Sequence, residues 1–175
     1  GNQASVLVGD FLFSRAFQIM VEDGSLRVLE ILSAASAVIA EGEVQQLANS
    51  NDLRTTEQDC LAVITAKTAK LFAAACEVGA VVSNQPAKTA QSLATFGLNF
   101  GISFQLVDDT IDYAASDSAI GKQIGDDFRE GKVTLPVLLA YVRGTQQDRS
   151  FWKRTIERQE LREGDLACAI SLMEK

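Results

Sequence analysis

From Thr89 to Val107 the chain carries no charged residue, and Asp108, Asp109 and Asp112 follow at once. On a helix, Gln105, Asp108, Asp109 and Asp112 fall at i, i+3, i+4 and i+7, so four polar side chains form one stripe on an otherwise apolar cylinder. Such a helix runs through the middle of a domain and presents its carboxylates at one end. Gln91, Ser92, Thr95, Asn99, Ser103 and Gln105 are too many polar groups for a bilayer span, which needs about 20 predominantly apolar residues. Towards the N-terminus the same stripe continues through Ala94, Gly97, Leu98 and Gly101. A solvated face would carry Lys and Glu there, so a cavity wall is expected.

An acidic helix face usually points at water. Here the surroundings argue for a ligand site. Carboxylates on one stripe suit Mg²⁺, a hard cation that takes one or two protein carboxylates and leaves its other positions to water and substrate phosphate. Lys122 and Lys132 each follow a glycine in a loop just beyond the carboxylates. Glycine lets backbone approach a phosphate closely, and the two ammonium groups supply the charge a diphosphate needs. On an earlier helix Ile64, Lys67, Thr68 and Leu71 share one face, which sets Lys67 and Thr68 in an apolar flank. Long lysine stems often lie along apolar surface, but a lysine drawn to the buried side needs a partner. A calcium site fits less well, because Ca²⁺ takes six to eight oxygens, usually from a flexible loop.

The rest of the composition narrows the chemistry. With 175 residues the chain is one domain or part of one; hydrophobic residues make up 47 %, and only 2 prolines interrupt runs rich in Ala, Leu, Val and Glu. The patterns alternate too little for sheet, so an all-α fold is expected. A formal net charge of −7, with no basic run, argues against nucleic-acid binding. Zero histidines exclude serine-hydrolase triads, histidine-ligated zinc and di-iron bundles. Cys60, Cys76 and Cys168 are odd in number and widely spaced, which implies a reducing compartment and no structural zinc. No signal peptide is visible at Gly1-Asn2-Gln3.

Helices are expected over about Gln3 to Glu22, Leu26 to Leu47, Thr56 to Val82, Ala87 to Tyr113, Leu135 to Val142, Phe151 to Gln159 and Asp165 to Met173. Gly24 permits a left-handed exit and Ser25 caps the second helix. Thr56 with Asp59 makes a capping box. Asn84-Gln85-Pro86 breaks the chain before the central helix. Neither an internal repeat nor a low-complexity segment is present.

Several motifs together resemble the trans-polyprenyl diphosphate synthases, the head-to-tail prenyltransferase family. They are Gly9-Asp10-Phe11-Leu12 with Arg15-Ala16-Phe17, Glu41-Gly42-Glu43, Lys67-Thr68, the segment Gly97 to Asp112, and Gly121-Lys122 through Pro136. They occur in the family's order over nearly the whole chain. Glu41-Gly42-Glu43 with Gln46-Leu47 resembles the long-chain branch that makes octaprenyl to decaprenyl tails for quinones.

The resemblance implies an isoprenoid-synthase helical bundle and Mg²⁺-dependent condensation of isopentenyl diphosphate with an allylic diphosphate. By position, Asp108, Asp109 and Asp112 match the second aspartate-rich motif, with Asp127 assisting at the metal. Lys67, Lys122 and Lys132 match the diphosphate-binding lysines, and Lys67, Thr68 and Gln105 match groups at the reacting centre. A homodimer, a cytoplasmic location, no transmembrane segment and a peripheral membrane contact for product release are also implied. The family's first aspartate-rich motif, its adjoining arginine pair and its isopentenyl-binding basic segment have no counterpart in the sequence. The chain is therefore expected to be a single partial domain, 1–175, incomplete at the N-terminus and at the C-terminus, and inactive alone. The alternatives are a short-chain (farnesyl or geranylgeranyl) synthase, a relative such as a terpene cyclase, and a non-catalytic helical subunit of a prenyl synthase complex.

Overall fold

The computed structural model describes residues 2–114 and 124–175, and these are helical with no strand among them. The elements are α1 (Asn2–Asp23), α2 (Leu26–Asn49), α3 (Glu57–Ile64), a π-helical turn (Thr65–Ala69), α4 (Lys70–Val82), α5 (Ala87–Ala114), α6 (Asp126–Arg129), α7 (Leu135–Arg143), α8 (Gln146–Trp152), a second π-helical turn (Lys153–Glu157) and α9 (Asp165–Met173). The sequence signals act locally as expected. Gly24 adopts φ 73°, Ser25 accepts from the Val28 N–H, and Thr56 and Asp59 form a reciprocal capping box. A second box, Thr145 with Asp148, starts α8 five residues before the expected helix at Phe151. The expected unbroken helix from Thr56 to Val82 is instead two α-helical pieces joined by the π turn.

Helices α2, α4 and α5 form an antiparallel layer with α4 in the middle. Gly97 and Gly101 make the close approach possible. A Cβ on Gly97 would lie 2.5 Å from the Phe72 carbonyl oxygen, and one on Gly101 would lie 2.6 Å from the Ala69 Cα. The expected cavity wall is thus corrected in part: Gly97 and Gly101 are helix-packing contacts, because a small residue serves a close approach as well as a cavity. Ala94 and Leu98 do line a groove, floored by Ala73 and Ala74 of α4 and walled on the other side by α2.

The main core lies at the carboxylate end of α5. There Tyr113 packs with Leu53, Phe128, Val137, Trp152, Ile156 and Ala169. Trp152 is fully buried, and a large apolar side chain in that position contributes about 1.5–3 kcal/mol. This core clamps the end of α5 against α6 and α7, which fixes where the carboxylates point.

The first helix behaves differently. Val6, Leu7, Phe11, Leu12 and Phe13 of α1 are all exposed. By length, and by a mean hydropathy of 1.4 over its most apolar 18 residues, this helix could cross a membrane. Asp10 and Arg15 sit near its middle, where each charge would cost about 2.5–3.5 kcal/mol in a bilayer. Those charges favour a packing surface over a span.

Candidate active site

The site is built where α2 presses on the π turn. Gly42 has no side chain, and a Cβ there would fall 2.8 Å from the Lys67 backbone nitrogen and 2.9 Å from the Ala66 Cβ. Gln46 lies one helical turn further along α2 on the same face. Its Oε1 accepts a hydrogen bond from Lys67 Nζ at 2.6 Å, and Glu43 Oε1 stands 3.5 Å from the same ammonium. The partner that a half-buried Lys67 requires is therefore supplied by α2. A π turn widens the helix locally, a feature frequent at functional sites.

The next residue links the turn to α5. Thr68 Oγ1 donates to Gln105 Oε1 at 2.8 Å, and Gln105 Nε2 donates to Asp109 Oδ1 at 2.7 Å and to Asp108 Oδ2 at 3.2 Å. The hydroxyl fixes the amide with its nitrogen facing the carboxylates. Asp109 is only 6 % exposed. Burial pushes its carboxyl up to about 6; the Gln105 hydrogen bond opposes this, and the negative Asp127 and Asp108 add to it. Asp112 is raised for the same leading reason, burial, followed by the charge of Asp127.

Beyond α5 the chain returns through α6. The Asp127 N–H donates to Asp112 Oδ2 at 3.1 Å, and Lys132 Nζ donates to Asp127 Oδ1 and Glu130 Oε2, both at 2.8 Å. Burial alone would lower the Lys132 pKa, but the two carboxylate hydrogen bonds outweigh it and hold the ammonium above its ordinary value. A knot of left-handed backbone anchors this loop. Asn51 (φ 62°), Gly131 (φ 68°) and Gln159 (φ 55°) come from three distant segments, and the Asn51 N–H donates to the Gly131 carbonyl at 2.9 Å. The Asn51 and Gln159 side chains occupy the space where a Gly131 Cβ would lie.

Lys67, Thr68, Gln105, Asp109 and Lys132 line one cleft, together with Gln46 and Cys60. Asp108 and Asp127 are each one hydrogen bond from a residue of that set, and Asp112 is joined to it through the Asp127 backbone. Lys122 lies outside the described residues. Sequence reasoning missed Gln46 and Glu130 as partners of the two lysines. The i+4 spacing of Gln46 from Gly42 was the available signal for the first. Cys60 is no nucleophile: its thiol donates to the Val133 carbonyl at 3.4 Å, and burial pushes its pKa up to about 11.

The donor set fits Mg²⁺. Asp108, Asp109, Asp112 and Asp127 are hard oxygen donors, the kind Mg²⁺ takes one or two at a time; among the described residues no three acidic or thiol side chains converge on one point. A cation there would offset both the burial of the Asp109 charge, which leads in raising its pKa, and the repulsion that Asp127 and Asp108 add.

Comparison with known proteins identifies the family. Residues 1–173 match the Polyprenyl synthetase family. Octaprenyl diphosphate synthase of Haemophilus influenzae is 46 % identical over 163 residues, 93 % of this chain and 50 % of that protein. Its Escherichia coli counterpart is 47 % identical over 157 residues, 90 % and 49 % of the two chains. The chain thus spans about half the length of these curated relatives. A polyprenyl synthase from Caulobacter crescentus, solved with calcium and isoprenyl diphosphate, superposes with a TM-score of 0.96 at 51 % identity, covering 99 % of this chain and 53 % of that one. A decaprenyl diphosphate synthase from Rhodobacter capsulatus gives 0.89 at 51 % identity, covering 98 % and 53 %. With nearly the whole of its 175 residues matched by the family and the fold shared with solved members, this chain belongs to the polyprenyl synthetase family.

Proposed function

We propose that the chain carries the diphosphate-binding face of a long-chain polyprenyl diphosphate synthase, which condenses isopentenyl diphosphate head-to-tail with an allylic diphosphate to build quinone side chains. The observation that carries this reading is the single cleft in which Lys67, Lys132, Asp109, Thr68 and Gln105 meet. The octaprenyl and decaprenyl names of its relatives support the long-chain assignment.

In the reaction the allylic C–O bond breaks with its electron pair leaving on the diphosphate. The isopentenyl double bond attacks the allylic carbon, and a proton leaves to form the new double bond. Lys67 and Lys132, with Lys122 by family resemblance, hold the diphosphate oxygens and offset the charge that develops on them. The Thr68 hydroxyl and the Gln105 amide present uncharged dipoles to the allylic cation, which stabilise it without capturing it. Asp108, Asp109, Asp112 and Asp127 would hold Mg²⁺, which supplies Lewis-acid stabilisation of the leaving group.

The apolar surface of α1, including Phe11 and Phe13, supports assembly as a homodimer. Calorimetric titration of the chain with inorganic pyrophosphate tests the site. Saturable heat that requires Mg²⁺ and weakens at least about tenfold in Asp109→Ala is expected. Absence of Mg²⁺-dependent binding in the wild type refutes the reading.

A further inference from the structure

The two lysines of the cleft are held in opposite ways. Lys132 is hydrogen-bonded to two carboxylates, Asp127 and Glu130, at 2.8 Å each. Its charge is already offset. Lys67 instead gives its shortest hydrogen bond, 2.6 Å, to the neutral amide of Gln46. The nearest carboxylate, Glu43, is 3.5 Å away, and its side chain is half exposed, so water screens it.

We propose that Gln46 is a positioning residue for the diphosphate site: it fixes the Lys67 ammonium in the cleft through a neutral acceptor, which leaves the full positive charge available to the substrate. This rests on the functional reading above. The geometry that delivers the contact is specific. Gly42 lets α2 touch the π turn at Lys67 and Ala66, and one helical turn later Gln46 is brought level with the Lys67 side chain. An apolar residue at 46 would leave a flexible four-carbon stem to find its own place, at a cost in rotamer entropy on binding. A carboxylate at 46 would hold Lys67 equally well, but the diphosphate would then have to displace an ion pair. The amide alone provides position without neutralisation.

A double-mutant cycle on the full chain tests this, with Mg²⁺-pyrophosphate binding read by calorimetry. Gln46→Glu should weaken binding at least about tenfold in the Lys67 protein. In the Lys67→Met background the same change should cost little, because the ammonium it neutralises is gone. Gln46→Leu should give a smaller loss, also confined to the Lys67 background, and Gln46→Asn should restore part of it. Circular dichroism melts establish that each variant folds. An equal loss from Gln46→Glu in both backgrounds overturns the proposal, since it would mean direct repulsion of the anion or a structural effect. Unchanged binding in Gln46→Glu also overturns it. Wild-type protein that gives no Mg²⁺-dependent heat refutes the functional reading itself, and this inference with it.

Discussion

Adding one methyl group at Gly101 should separate the two sides of the cleft. A Cβ there would lie 2.6 Å from the Ala69 Cα and 3.0 Å from its Cβ, whereas ordinary contact begins at 3.4 Å, so α5 must move by about 0.8 Å. Ala69 closes the π turn, next to Thr68, and Gln105 lies one helical turn beyond Gly101. A displacement of that size stretches the 2.8 Å Thr68–Gln105 bond to the limit of hydrogen-bond geometry. Overpacking of this kind costs about 1–3 kcal/mol, while replacing glycine by alanine in a helix returns about 1 kcal/mol. Gly79 isolates the second effect, since it is exposed on α4 and a Cβ there meets nothing within 4 Å. Gly101→Ala should therefore be less stable than Gly79→Ala by the whole overpacking cost, a urea midpoint difference of about 0.5–1.5 M for a slope of about 2 kcal/mol per M. Equilibrium urea unfolding followed by circular dichroism measures it. If the two variants unfold at the same midpoint, α5 is not seated on the π turn through Gly101 and the reasoning fails.

Two further outcomes follow from the site and from α1. Asp109 titrates at about 6 instead of 3.8, so the folded state holds a proton between those values that the unfolded state has lost. The Asp109 contribution to metal-free stability should therefore decline as pH rises from about 4 to about 6. Metal competes with that proton, so stabilisation by Mg²⁺ should be weak at pH 5 and strong at pH 7.5. Thermal melts with and without Mg²⁺ check both signs, and a pH-independent Mg²⁺ effect refutes them. On the proposed homodimer, Phe11→Glu on α1 should lower the mass to that of a monomer in light scattering; a monomeric wild type refutes the dimer, and an unchanged dimer mass for the variant counts against α1 as the contact surface.

The central helix, the Asp23-Gly24 stop and the Thr56 box were legible in the sequence because each depends on residues within one or two turns. The π turn was not. Nothing in Thr65-Ala66-Lys67-Thr68-Ala69 distinguishes it from ordinary helix, and its position coincides with the contact made by Gly42 from another helix. Gly97 and Gly101 were ambiguous for a physical reason, since the absence of a side chain suits both a cavity and a close helix contact. The box at Thr145 and Asp148 had a clear local pattern and shows that α8 could have been placed from sequence. The partners of Lys67 and Lys132 differ again: Glu130 lies two residues from its lysine, while Gln46 lies 21 away, within reach only once α2 and the π turn have packed.

The knot at Asn51, Gly131 and Gln159 constrains how the molecule can be redesigned. Any side chain added at 131 meets the positive φ and displaces the ends of the Asn51 and Gln159 side chains, so a substitution there is strained and disturbs both supports. Shortening Asn51 and Gln159 would free the space at 131 and leave the positive φ as it is. Shortening Gln159 first removes its hydrogen bonds to the Thr155 and Ile156 carbonyls, which close the second π turn. A route that begins at Gln159 therefore crosses a weakened intermediate. The loop that presents Lys132 is locked less by the strength of any one contact than by the order in which its three supports would have to change.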